Sequence, residues 1–236
     1  MRPAARGARV RGWPFPWFSV AWLALVSVVV MVKNGAVGIL PLDFQHAVGF
    51  TPTDFYAHPW AALRSPLALL FNNDAVQYSY VTAIFMLAVP AFEVRHGWKR
   101  TAFVFGVGGL ASVFLVTLAI LLPAWWLLPQ NAVVLHSVTR PYMGDSTAVF
   151  AIAGALAATL PSARARWAIL VGAVAWETFL FGYFFHFAEL ISLFHYTALF
   201  LGFGLARTAW FARIPDAGGK RSATGAAGDV EDVEPA

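Results

Sequence analysis

The sequence predicts an all-α polytopic membrane protein, a bundle of six apolar helices, and three observations predict it. Of its 236 residues, 59% are hydrophobic and only 12% are charged, with a mean hydropathy of +0.66. A soluble core of this size would not absorb such apolar runs, whereas a bilayer accepts helices that satisfy their own backbone groups. Six runs can be marked, at residues 17–32, 76–92, 101–122, 146–160, 167–184 and 190–206. With the N-terminus inside, only Lys33, Arg64 and Arg140 of the 16 basic residues fall on the outer side. The other thirteen gather inside, which places both termini in the cytoplasm, and removing an internal span would scramble that asymmetry. The expected location is the plasma (inner) membrane of a bacterium.

Taken in order, residues 1–16 are a basic cytoplasmic N-terminus carrying Arg2, Arg6, Arg9 and Arg11. This basic stretch and the apolar run after it have the outline of a signal peptide. A small-residue cleavage site is missing, however, and Lys33-Asn34 interrupts the place where one is expected. The first helix is therefore read as retained and as continuing past Lys33. The first outer loop, residues 40–75, is amphipathic, with Trp60 and the apolar stretch 66–71, and is expected to lie in the membrane interface. The loop at 123–145 opens with Trp125-Trp126, an aromatic-belt anchor. Residues 17–207 thus form one membrane domain. The Gly-, Ala- and acid-rich tail, 208–236, is expected to be cytoplasmic and disordered. There is no internal repeat.

Several chemistries are excluded. No cysteine is present, so disulfides, thiolate nucleophiles and cysteine-ligated metals drop out. The net charge of +4 resides in residues flanking apolar runs, so it marks topology and no nucleic-acid partner. His186 and Glu189 would share a helix face, but His195 points elsewhere and no His-Glu-x-x-His occurs, so neither metal nor cofactor is expected. His46, His58 and His136 fall in outer loops, and His96 joins Arg95, Lys99 and Arg100 on an inner face suited to anionic lipid.

Two residues remain as candidates for chemistry. Ser146 opens the fourth run after Gly144 and Asp145, where free helix N–H groups and the helix dipole favour a developing oxyanion. A plain N-cap would look the same. His195 lies inside the sixth run, where an ionisable side chain is costly and marks a functional candidate, unless a neighbouring helix merely satisfies it. Depth connects the two. With Pro161 and Arg164 at the inner face, residues 146–160 rise roughly 22 Å through a core of about 30 Å. Ser146 then starts about 8 Å below the outer surface, and His195, five residues into its run, lies about 7–8 Å deep. At equal depth they could pair as nucleophile and general base. Gly154 and Ala158 on the fourth run, with Ala198, Gly202 and Gly204 on the sixth, provide small faces for close helix approach.

These motifs resemble the rhomboid intramembrane proteases over roughly residues 64–206. Gly144-Asp145-Ser146-Thr147, with Gly154 eight residues after the serine, is similar to the family's Gly-x-Ser-Gly helix opening, except that Thr147 replaces the second glycine. His195, Ala198 and Gly202 match the family's sixth-helix spacing. Arg64, Glu93 and Gly97 match its first-loop arginine and the end of its second helix, positions the resemblance makes structural. The family's His-x4-His-x3-Asn, which frames the site and completes its oxyanion hole, aligns here with Asn72, Gln77 and Val81. Gln77 can still donate an N–H; Val81 cannot. The resemblance implies a six-helix rhomboid-like bundle and a serine endopeptidase that cuts transmembrane segments of other proteins. In it Ser146 attacks, His195 shuttles the proton, and the Ser146 N–H with Gln77 holds the oxyanion. Its alternative, motivated by the altered positions, is a non-catalytic rhomboid-like protein that binds membrane clients. Glu177, midway along the fifth run, is expected to hydrogen-bond a neighbouring helix, with a proton or ion path as a weaker third reading.

Overall fold

The computed structural model describes residues 15–35, 39–182 and 190–215. Among the described residues the fold is all helix, without a strand; a single antiparallel bridge joins Phe50 to Tyr142. Six longer helices organise it: α1, Trp17–Lys33; α2, Ala75–His96; α3, Trp98–Leu127; α4, Ser146–Thr159; α5, Ala163–Ala175, continuing through the π-helical turn Trp176–Gly182; and α6, Ser192–Leu205. Each falls on one of the apolar runs. Two of them, α2 and α3, are long and apolar enough to cross a membrane, while α1, α4 and α6 are apolar and shorter.

The expectation that α1 continues past Lys33 is corrected. The helix stops at Lys33, Asn34 supplies the C-cap, and Gly35 turns the chain with φ of 65°. Asn34 is buried and donates its side-chain N–H to the Asn72 carbonyl, a contact that a longer helix would break. The first outer loop is a set of short helices, Leu42–Val48, Pro52–Ala57, the 3₁₀ turn Pro59–Arg64 and Ser65–Ala68. They pack Leu40, Val48, Ala68 and Phe71 against Met143, beneath the segment that leads into α4.

At the centre lies α4. Every residue from Ser146 to Ala157 is buried, as a helix with no polar face must be when others surround it. Gly154 and Gly202 explain how α4 and α6 come so close. A Cβ on Gly154 would run into the Leu199 carbonyl, and one on Gly202 into the Ala151 carbonyl, so backbone packs on backbone. On another side Gly109 of α3 faces Ala148 with no room for a side chain. By contrast, no residue between Ala163 and Ala175 of α5 is fully buried. That helix leans on the core only through partly covered side chains such as Ile169 and Ala173.

Candidate functional site

The turn before α4 sets the serine. Gly144 has φ of 101°, a left-handed conformation that favours glycine, and a Cβ there would lie 2.8 Å from Gln77 Nε2. Its N–H donates to the Ala68 carbonyl at 2.9 Å, and Tyr142 pairs with Phe50 in both directions. Asp145 then occupies the N-cap, but it does not cap: its carboxylate accepts from Trp22 Nε1 at 2.7 Å, reaching α1 instead. The first turn of α4 therefore starts at Ser146 without a side-chain cap.

Ser146 and His195 meet. Ser146 Oγ lies 2.8 Å from His195 Nε2, and both side chains are buried. The imidazole stacks on Phe150 of α4, with ring centroids 4.8 Å apart and planes 12° from parallel. Its other nitrogen, Nδ1, lies 2.8 Å from Glu177 Oε1. Glu177 is fully buried and accepts two further hydrogen bonds, from Ser192 Oγ at 2.7 Å and Tyr80 Oη at 2.8 Å. The expected bond from Glu177 to neighbouring helices is thus present, and it reaches the histidine as well. A carboxylate only accepts, so at this distance it favours the tautomer with the imidazole proton on Nδ1, which leaves Nε2 to accept from the serine.

Beside the pair opens a small cavity of about 30 Å³, lined largely by apolar side chains including Leu69, Val113 and Phe194. Ser65 and Thr147 are among its lining residues, and the buried hydroxyl of neither has a hydrogen-bond partner in the protein. Buried hydroxyls left open to a cavity are satisfied by water or by a ligand.

The remaining candidates are supports. Gln77 donates Nε2 to the Met143 carbonyl at 3.0 Å and accepts from the Asn73 N–H at 2.8 Å, which braces the turn before Ser146. Asn72 is completely buried, and neither atom of its side-chain amide has a protein partner; its Oδ1 lies 3.3 Å from where a Gly144 Cβ would sit. Val81 is buried in the apolar core. Arg64 donates to the His46 carbonyl at 3.0 Å and lies 3.7 Å from Asp54, tying the first-loop helices together. Glu93 accepts from the N–H groups of Phe18 and Ser19 and from the Ser19 hydroxyl, fastening the start of α1 to the end of α2. Gly97, φ 79°, ends α2. His186 and Glu189 lie outside the described residues.

Sequence reasoning missed the approach of Glu177 to His195, together with Tyr80, Ser192 and Trp22. Depth was a usable signal for Glu177. Seven residues before the predicted outer end at 184, it would be expected about 10 Å below the outer surface, within a helical turn of the level expected for the other two. No family model, curated protein or solved structure matches this chain.

Proposed function

We propose that the protein is a rhomboid-like intramembrane serine endopeptidase that cleaves transmembrane segments of other membrane proteins. The observation that carries this reading is the 2.8 Å contact between Ser146 Oγ and His195 Nε2 inside an apolar helical bundle. A lone buried hydroxyl and imidazole held at hydrogen-bond distance are the minimum for nucleophilic acyl transfer. In the proposed reaction His195 Nε2 takes the hydroxyl proton as Ser146 Oγ bonds to the scissile carbonyl carbon. The displaced electron pair collects on the carbonyl oxygen, toward the uncapped N–H groups opening α4. Collapse expels the amine, which takes the proton from Nε2–H. Water then repeats the sequence on the acyl-enzyme and frees the serine.

The membrane setting belongs to the same proposal. Supporting it are α2 and α3, each long and apolar enough to cross. Outward faces as apolar as those of Leu87, Val171 and Phe200, 72%, 59% and 62% exposed, support it too. Such surface would drive aggregation in water but is ordinary against lipid. All six helices would cross, with both termini inside. Because the chain has no cysteine, single introduced cysteines probed with membrane-impermeant maleimide would test each loop cleanly.

A fluorophosphonate probe tests the chemistry. Labelling of the wild type, lost in Ser146→Ala and His195→Ala, is expected. Absence of labelling in folded wild-type protein would favour the second reading, a non-catalytic binder of membrane clients. That reading draws on Val81, which donates nothing, and on Gln77, whose Nε2 already donates to Met143.

A further inference from the structure

We infer that Glu177 is a positioning residue for His195, which makes the site a Ser146–His195–Glu177 triad; the inference rests on the serine-hydrolase reading above. Three observations converge on it. The carboxylate lies 2.8 Å from Nδ1, the ring nitrogen opposite the one facing Ser146. It is fully buried, as is the imidazole, so solvent does not screen their interaction. It is also held from two sides, by Tyr80 of α2 and by Ser192 of α6, the latter one turn before His195 on the same helix face.

A purely structural carboxylate needs hydrogen bonds, and Tyr80 and Ser192 already give one to each oxygen. Neither bond calls for the imidazole. What the Nδ1 contact adds is control of the base. It keeps the proton on Nδ1, so that Nε2 can accept from Ser146. It holds the ring flat against Phe150, and it places a negative charge beside the imidazolium that forms when the serine proton is transferred. Phe150 fixes the plane of the ring; Glu177 fixes which nitrogen faces the serine.

The test uses the full chain in detergent micelles with a fluorophosphonate probe, resolving inactivation into a binding constant and a chemical rate. For Glu177→Gln the chemical rate is expected to fall about 10³–10⁴-fold, as when a triad carboxylate is made an amide, with the binding constant unchanged. Glu177→Asp is expected to recover part of that loss. Tyr80→Phe, which removes one donor to the carboxylate, is expected to cost about tenfold or less. A Glu177→Gln protein labelled within about threefold of the wild-type rate overturns the triad while leaving the Ser146–His195 reading intact. A wild type that does not label at all overturns both. If Glu177→Gln does not fold, wild-type protein carrying ¹⁵N-histidine decides: His195 neutral with its proton on Nδ1 supports the triad, and a proton on Nε2 overturns it.

Discussion

Helices α4 and α5 lie side by side and could hardly be built more differently. Between Ser146 and Ala157 α4 exposes nothing, and its glycine contact with α6 leaves no space for a methyl group. Between Ala163 and Ala175 α5 buries nothing completely, and a Cβ on its Gly172 would meet no atom within 4 Å. Yet Glu177, on the π-helical turn that continues α5, is as buried as any residue of α4. The contrast teaches where rigidity is concentrated: Ser146 and His195 sit on two helices locked backbone to backbone, and the carboxylate behind them arrives from a loosely covered wall.

The sharpest way to break that contrast is at the pair itself. Ser146→Ala and His195→Ala should each lower fluorophosphonate labelling by about 10⁴-fold or more, since members of such a unit fail together, and Ser146→Ala should do so in protein that melts close to its normal temperature. Gly202→Ala comes next. Its Cβ would collide with the Ala151 carbonyl, which cannot rotate away, so we expect a loss of about 3 kcal/mol or more, visible as a large drop in melting temperature in detergent. Trp22→Phe keeps the ring but strands the Asp145 carboxylate and should cost about 1–3 kcal/mol, with reduced labelling rate in protein that remains folded. Smallest, and opposite in sign, is Gly172→Ala, which has free space on a helix and should stabilise by about 0.5–1 kcal/mol. If Gly172→Ala and Gly202→Ala melted alike, the distinction between the two walls would be lost.

Much of this arrangement was legible in the amino-acid order because apolar helices obey simple arithmetic. Apolar runs marked the helix bodies closely: 146–160 was expected, and Ser146–Thr159 is found. Counting alone set Ser146 and His195 at one expected level, Ser146 by counting the fourth run up from its inner end at Pro161 and His195 by counting down from the outer end of the sixth run. What depth does not give is azimuth. Nothing in the fifth run says which way Glu177 points, and it reaches His195 from a π-helical turn whose residues do not follow the 3.6-residue period. Asp145 sits at the N-cap without capping for a related reason: its partner, Trp22, is 123 residues away, beyond any local rule. The early end of α1 follows likewise from a distant tie, Asn34 to Asn72.

The Trp22 indole has a consequence for how this chain can be handled. It anchors the residue immediately before the serine to a helix that contributes nothing else to the pair. A shortened chain beginning after that helix would keep Ser146, His195 and Glu177 but leave the Asp145 carboxylate before the serine without its indole partner. Supplying the missing helix as a separate peptide should then restore fluorophosphonate labelling, and the same peptide with phenylalanine in place of the tryptophan should rescue it far less.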